Sequence, residues 1–383
     1  MALLSETSGL SKRLTYIWYS LGGRVLHKNQ KLMSNSSEMR GQKRPTITDV
    51  AKLAGVSKVT VSYVLNGHSV AARISAATQE KVSEAAKELG YWPSVIARSM
   101  VTGRAETIGL VFQDPLYFAV RADFVREVMH GVNLAAVSLG YDLLLHTKPV
   151  PNALVECSVL ADGRVDGVLI LRNRDDETLR LLIERGFPCV LFFSRSDHEH
   201  IAFVDSDNYG GAVQATDHLI KLGHRHIGMV LGHHASTSSS ERLAGYCDTL
   251  NRSGLAFHGR LVIRPTPGSE LQTIRNFLVE QEPTAVFCIS DLYAIHTLKV
   301  ATELGLRVPE DLSIVGFDSL ESCERSNPPL TSVRQPVLEI SRKATELLVS
   351  LARGEKVESR RVIFPTELDV RQSTAPPNRL VHP

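Results

Sequence analysis

Near the N-terminus, apolar residues recur with the spacing of a helix in three short segments. The run Thr46-Ile-Thr-Asp49 has the form of a helix N-terminus, and Gly55 supplies the positive φ with which such a helix ends. Ser57 is placed to cap a second helix, Lys58–Leu65, and Ser75 to cap a third. Two short helices with so tight a connection predict a helix-turn-helix, and any other small helical bundle is the alternative.

Beyond Thr107 the pattern changes to short apolar runs separated by longer helical stretches such as 124–139. Such runs are typical of strands buried on both faces, and their alternation with helices predicts parallel sheets covered by helices. The predicted fold is an all-α helix-turn-helix head followed by an α/β body. The predicted strands are 107–112, 142–146, 168–171, 190–193, 227–231, 285–289 and 313–317.

Charge is distributed unevenly along the 383 residues, although the net charge is only +2. Residues 1–105 hold 15 Lys and Arg against 6 Asp and Glu, so the remainder of the chain is acidic. A basic head on an acidic body is expected when one end of a protein meets a polyanion. With the helix-turn-helix, this charge pattern favours double-stranded DNA as a partner.

Composition also excludes several classes of protein. Five scattered cysteines without a CxxC pair favour a reducing compartment, and no apolar run is long enough to span a membrane. We therefore expect a cytoplasmic protein without a membrane partner, with residues 1–44 as a disordered extension. Neither a nucleotide-binding loop nor a nucleophile motif nor a convincing metal-ligand spacing occurs. We expect no catalytic residues, no metal and no cofactor.

The second predicted helix is the candidate for base recognition. If it enters the major groove, its outward N-terminal side chains Lys58, Val59 and Tyr63 contact bases. Lysine reaches guanine or a phosphate, valine touches a thymine methyl group, and tyrosine donates or accepts a hydrogen bond. An ordinary solvent-exposed face is the alternative. The side chains better suited to phosphates are those of Ser57, Thr60, Ser62 and Asn66.

The run Thr46-Ile-Thr-Asp-Val-Ala-Lys-Leu-Ala-Gly-Val-Ser-Lys-Val-Thr-Val-Ser-Tyr-Val-Leu-Asn-Gly67 resembles the signature of the LacI/GalR family of bacterial transcription regulators. Arg73 lies in the following loop, which looks longer than in some members, and we assign it to phosphate contact. In similar proteins a hinge helix then enters the minor groove as a pair, and an apolar side chain wedges between base pairs. The resemblance assigns Ala97 and Met100 to this contact, with a plain linker as the alternative.

The body resembles the periplasmic-binding-protein-like effector domain of the same family. The motifs that carry this resemblance include Val165-Asp-Gly-Val-Leu169, Leu222-Gly-His-Arg-His-Ile-Gly228 and Val315-Gly-Phe-Asp318. The resemblance implies two lobes with crossing connections, which we place at 107–204 plus 335–362 and at 205–334 plus 363–375. The predicted divisions are a head at 45–92, a hinge helix and linker at 93–106, a body at 107–375 and a tail at 376–383.

In such domains the ligand binds between the lobes, at the ends of strands. The resemblance places Arg242 and Asp291 on ligand-contacting positions, and a structural ion pair between them is the alternative. Tyr117 and Phe118, just after the first strand, are candidates for an apolar or stacking wall, with Phe118 as ordinary core in the alternative. Gln335, near a crossover, is a further candidate.

The resemblance implies a transcription regulator, of the repressor kind, whose operator affinity depends on a small-molecule effector such as a sugar or sugar derivative. Phe193 stands where sugar-binding members often carry Asp, which argues against a pyranose without excluding it. The C-terminal residues carry no heptad repeat, so we expect a homodimer rather than a coiled-coil tetramer. The alternatives are a solute-binding receptor without a DNA-binding role and an enzyme on the same scaffold.

Overall fold

The computed structural model describes residues 45–65, 73–92, 99, 103–112, 121–172, 176–232 and 236–378. The extension predicted for residues 1–44 lies outside this part of the chain. The chain divides into two compact units, Met1–Arg98 and Ser99–Pro383, and the division falls within the segment predicted as a hinge. Each unit is described separately below.

Local capping interactions define the helices of the first unit, as predicted. Thr46 and Asp49 form a capping box in which the Thr46 amide donates to Asp49 Oδ2 at 2.8 Å. Gly55 ends the first helix with a φ of 69°. Ser57 Oγ accepts from the Thr60 amide at 3.1 Å, and Ser75 caps the third helix in the same way. The helices are α1 (Ile47–Ala54), α2 (Lys58–Leu65) and α3 (Ala76–Leu89).

The core of the first unit consists of small apolar side chains. Val61 of α2 is completely buried between α1 and α3. Alanines at the contacts let the three helices approach closely. Lys58 and Val59 on the outer face of α2 take no part in this core. The buried residues are Val50, Ala51, Val61, Val82, Ala85 and Ala86.

The second unit contains two six-stranded sheets, one in each lobe. Sheet one has the order β11-β5-β4-β3-β1-β2 and is parallel throughout. Its strands are β1 (Thr107–Phe112), β2 (Asp142–His146), β3 (Gly167–Leu171), β4 (Cys189–Phe192), β5 (Ala202–Ser206) and β11 (Arg361–Phe364).

Sheet two has the order β12-β10-β9-β8-β6-β7. It departs from the predicted parallel sheet at its edge, because β12 pairs with β10 in the antiparallel direction. The chain reaches β12 directly from β11 of sheet one through a short connection, and it therefore runs along the edge of sheet two in the direction opposite to the other strands. The strands are β6 (Ile227–Val230), β7 (Val262–Ile263), β8 (Ala285–Cys288), β9 (Ser313–Asp318), β10 (Thr331–Arg334) and β12 (Glu367–Asp369).

Helices cover both faces of each sheet, so successive strand residues are buried on opposite sides. In β1, Leu110 packs in the cluster beneath the helices Ala122–Leu139 and Val337–Ala352, whereas Val111 packs in the cluster beneath the helices Ala153–Leu160 and Glu177–Glu184. None of the described helices is both long and apolar enough to cross a membrane. The helices are α4 (Ala122–Leu139), α5 (Ala153–Leu160), α6 (Glu177–Glu184), α7 (Asn208–Lys221), α8 (Thr237–Arg252), α9 (Glu270–Gln281), α10 (Asp291–Glu303), α11 (Glu321–Arg325) and α12 (Val337–Ala352).

The chain crosses between the lobes after β5, between β10 and α12, and between β11 and β12. The lobe boundaries, predicted at about 204/205 and 362/363, fall two residues too early. Both fall inside strands, because β5 continues to Ser206 and pairs there with Phe364 of β11. The predicted fourth strand also extends one residue too far: β4 ends at Phe192, and Phe193 has a positive φ of 56°.

Candidate functional site

In the first unit, α2 exposes the residues that were predicted to read bases. Lys58 is exposed, and 57% of the Val59 surface is accessible although valine is apolar. Tyr63 is half-buried one turn after Val59, so the two share a helix face. Arg73 is exposed, whereas Ser62 is half-buried. Asn66, Ala97 and Met100 lie outside the described residues.

Ser57 and Thr60 form the capping turn at the start of α2. Besides the capping hydrogen bond to the Thr60 amide, their two hydroxyl groups lie 2.9 Å apart and share a hydrogen bond. This turn fixes the N-terminal end of α2, where free backbone amides and a positive dipole end favour a phosphate.

In the second unit, Arg242 of α8 is buried among residues of lobe two. Its Nε donates to Asn208 Oδ1 at 2.9 Å and its Nη1 to the Ile289 carbonyl at 2.5 Å. The guanidinium lies 3.4 Å from the centroid of the Phe317 ring. Burial lowers the pKa of Arg242 to about 10, which leaves it charged at neutral pH.

Asp291, at the start of α10, is 1% exposed and close to the same site. It accepts hydrogen bonds from the Leu320 amide at 2.7 Å and from Ser332 Oγ at 2.5 Å. Burial and the nearby Asp318 carboxylate raise the pKa of Asp291 to about 7. Arg242 forms an ion pair with Asp318, whose Oδ1 lies 3.9 Å from Arg242 Nη1. Within the described residues there is no ion pair between Arg242 and Asp291.

Gln335 joins the two lobes at the second crossing. Its Nε2 donates to Asp318 Oδ1 at 2.6 Å, and its Oε1 accepts from Ser206 Oγ at 2.8 Å. Arg121, which precedes α4, donates to the other oxygen of Asp318 at 2.8 Å. Asp318 therefore connects an arginine of lobe one, the crossover and, more distantly, Arg242.

Arg195 makes a second connection between the lobes. Its Nε donates to Asp205 Oδ2 at 3.0 Å in its own lobe, and its Nη1 to Glu241 Oε1 of α8 at 2.8 Å. The Arg195 amide also donates to Thr237 Oγ1 at 3.3 Å. Burial raises the pKa of both Asp205 and Glu241 from its ordinary value.

Phe193 packs as an apolar side chain and makes no polar contribution to the cleft. Its ring meets Phe124 edge-on with centroids 4.9 Å apart, and the Arg121 guanidinium lies 4.3 Å from the Phe124 ring. The other predicted wall residues, Tyr117 and Phe118, lie outside the described residues.

Sequence reasoning missed most of the polar residues that line the junction between the lobes. Several of them follow strand ends, which is where parallel sheets collect functional groups. Asp318 ends a predicted strand and could have been found by this signal, whereas Asp205 and Asn208 follow from β5, which was not predicted. The missed residues are Arg121, Arg195, Asp205, Asn208, Glu241 and Asp318.

Comparisons with known proteins identify both units. Residues 46–94 match the family "Bacterial regulatory proteins, lacI family", and residues 216–374 match the "Periplasmic binding protein-like domain". The HTH-type transcriptional regulator CelR of Thermobifida fusca is 37% identical over 345 residues, which cover 88% of this chain and 100% of CelR. The chain belongs to the LacI family. Another relative, the HTH-type transcriptional repressor PurR of Vibrio atlanticus (strain LGP32), is 34% identical over 323 residues, covering 82% and 94% of the two chains.

Solved structures of the LacI family share the architecture. The "transcriptional regulator CelR-cellobiose complex" has a TM-score of 0.65 at 36% identity, covering 86% of this chain and 100% of that chain. The lac repressor dimer bound to operator and the anti-inducer ONPF has a TM-score of 0.73 at 28% identity, covering 87% and 100%. The predicted family and fold are confirmed: this LacI-family chain is a DNA-binding transcriptional regulator with an effector-binding body. Members of the family are regulators rather than enzymes.

Proposed function

We propose that the chain is a homodimeric cytoplasmic repressor whose affinity for a near-palindromic operator changes when a sugar or sugar derivative occupies the interlobe cleft. The observation that carries this proposal is the cluster around Arg242, Asp291 and Asp318, where buried polar groups of both lobes meet at strand ends. A ligand that contacts both lobes stabilises one of their relative arrangements, and so shifts the equilibrium between DNA-competent and incompetent states.

In the head, we assign base contacts to the exposed face of α2. Lys58, Val59 and Tyr63 read base edges, and a dimer places two such helices on two half-sites. The hinge residues Ala97 and Met100 enter the minor groove. The residues assigned to phosphates are Ser57, Thr60, Ser62, Asn66 and Arg73.

In the body, we assign ligand contact to Arg242 and Asp291 and to the wall residues Tyr117 and Phe118. Gln335 positions the cleft, since both of its amide atoms are bonded to protein groups. The relative CelR has been solved with cellobiose, which supports a sugar as the effector class.

An exposed apolar face on lobe one supports dimerisation. Val137 of α4 is 70% exposed and Leu134, one turn earlier, 45%. Leu145 is 39% exposed on β2, which is one of the two edge strands of sheet one. Exposed apolar residues on a helix and a strand at the edge of a sheet are features that a second copy can cover, and the lac repressor neighbour is itself a dimer on its operator.

The DNA assignment is tested on the full chain with alanine at Lys58, Val59 and Tyr63 together. The parent first selects a preferred duplex from a random library, and fluorescence anisotropy then compares this duplex with a scrambled one. We expect the parent to prefer its duplex by about 1,000-fold or more, and the variant by less than tenfold. Lys87→Ala, which removes an exposed cation from α3, is the matched control and keeps the preference. A variant that retains the parent's preference would refute the assignment.

The effector assignment is tested by titrating sugars into the complex of the protein and its selected duplex. We expect at least one sugar to change the duplex affinity fivefold or more, as a coupling of about 1 kcal/mol requires. The solute-receptor alternative predicts no salt-dependent affinity for duplex DNA at all.

A further inference from the structure

We propose that the interlobe cleft takes a neutral polyhydroxyl effector and excludes anionic counterparts such as sugar phosphates and sugar acids. This inference rests on the proposed function of the cleft as the effector site, and it narrows the chemical class of the effector.

Each arginine at the cleft is already matched by a protein acceptor. Arg121 donates to Asp318, and Arg195 is held between Asp205 and Glu241. Arg242 donates to an amide oxygen and a carbonyl, with the Phe317 ring against its face. An anion that bound one of these guanidinium groups would have to displace a carboxylate or lie beside it, and Arg–carboxylate pairs of this geometry are strong.

Carboxylates outnumber guanidinium groups around the cleft. Three arginines face four carboxylates, and Asp291 has no cation within hydrogen-bond distance among the described residues. Even when Asp291, whose pKa is about 7, binds a proton, the three guanidinium groups and four carboxyl groups together are neutral rather than positively charged. The four carboxylates are those of Asp205, Glu241, Asp291 and Asp318.

An incoming phosphate or carboxylate therefore meets no surplus of positive charge among the described residues at the cleft. No positive charge among these residues compensates for the loss of water around the anionic group, and removing a charged group from water costs more free energy than removing a hydroxyl group.

An unused carboxylate oxygen at the start of α8 also favours a ligand that donates hydrogen bonds. Glu241 Oε2 is buried and has no hydrogen-bond partner in the described part of the chain. A buried acceptor without a donor is rare, and a ligand or ordered water commonly supplies the missing partner. Sugar hydroxyls can donate to a carboxylate oxygen, whereas a phosphate dianion or a carboxylate offers only acceptors.

The experiment uses the full-length protein and matched pairs of ligands in isothermal titration calorimetry at low salt. The pairs are cellobiose with cellobionate, glucose with glucose 6-phosphate, and galactose with galacturonate. We expect any pair that binds to show the neutral member at least tenfold tighter, as one uncompensated charge in the cleft requires. Equal or tighter binding of the anionic member overturns this inference and leaves the proposed function intact. If no member of any pair binds, this inference fails, and the titration of sugars into the protein–duplex complex tests the proposed function separately.

Glu241→Gln then identifies the source of the discrimination. The amide keeps an acceptor for Arg195 while it removes one negative charge, so we expect the ratio of anionic to neutral dissociation constants to fall about tenfold. Glu358→Gln, in the exposed segment between α12 and β11, removes the same charge far from the cleft residues in the sequence and leaves the ratio unchanged. If the Glu241→Gln protein has the parent's melting temperature and an unchanged ratio of dissociation constants, the role of Glu241 is overturned. The comparison of ligands on the parent protein does not depend on either variant.

Discussion

Replacing Gln335 by leucine should loosen the junction between the lobes. Gln335 is 4% exposed, and its amide bonds Asp318 of sheet two and Ser206 of sheet one. Leucine has a similar size and no polar atoms, so Asp318 loses one of its two side-chain donors and the completely buried Ser206 hydroxyl loses its acceptor. The variant therefore isolates the two hydrogen bonds at the crossover.

The expected loss of unfolding free energy follows from these two bonds. A hydrogen bond to a charged group contributes about 1.5–3 kcal/mol and one between neutral groups about 0.5–1.5 kcal/mol. Burial of the leucine side chain offsets about 1 kcal/mol. We expect a net loss of about 2 kcal/mol for Gln335→Leu, which is a large share of the stability of a typical domain.

Urea unfolding at pH 7, followed by circular dichroism, measures this loss against Gln214→Leu. Gln214 is half-buried and makes one neutral hydrogen bond, to the Thr366 carbonyl at 2.9 Å, so its replacement should be almost neutral. A difference below about 0.5 kcal/mol between the two variants would refute the reasoning. Gln335→Glu tests whether a negative charge at this position destabilises the fold. Because the introduced acid lies beside Asp318, its pKa in the folded state is raised. The destabilisation should therefore be greatest at neutral pH and shrink as the pH falls towards about 4.

Three further predictions follow from single sites. Gly245→Ala should lower the unfolding free energy by about 1–2 kcal/mol, because the added Cβ would lie 2.5 Å from the Tyr209 carbonyl oxygen. Thermal unfolding measures this loss, and Ala244→Gly, an exposed substitution in the same helix, is the control that separates the clash from helix propensity. Asp291→Asn should gain stability relative to the parent as the pH rises from about 4 to 7, since the pKa of the parent's Asp291 is raised to about 7 and the unfolded chain loses its proton first; a pH-independent difference in urea unfolding would contradict this. Met100→Gly should lower specific operator affinity in anisotropy titrations without weakening effector binding, and an unchanged operator affinity would exclude the wedge.

The parts of the fold that the sequence predicted are those governed by local chemistry. Thr46, Ser57 and Ser75 cap their helices with hydroxyl groups within three residues of the amide or carboxylate they meet. The seven predicted strands, among them the edge strand β2, contain apolar runs, which need no partner to be recognised. The edge strand β11 was missed because, with exposed Arg361 and Ile363, it is a strand only through its pairing with β5. The interior strands β5 and β10 were missed because polar residues interrupt their apolar runs.

The candidate site was accessible to sequence reasoning only in part, for a related reason. Arg242 and Asp291 were proposed by resemblance to the family, whose motifs surround them, and their role in ligand contact stays a prediction. The pairs that connect the lobes join residues far apart in the sequence: Arg195 and Glu241 are 46 positions apart, and Arg121 and Asp318 are 197 apart. No periodicity or spacing reports such a pair, because only the folded chain brings its members together.

The three passages of the chain between the lobes also determine when each lobe can be completed during synthesis. Sheet one lacks its edge strand β11 until Phe364 has left the ribosome, although its neighbour β5 ends at Ser206. At about 5–20 residues per second, the intervening chain of about 160 residues takes roughly 10–30 seconds to make. Throughout that interval the helix-turn-helix, whose residues precede β1, has all the chain it needs to fold. The unit that meets DNA is therefore available to fold well before the unit that senses the effector.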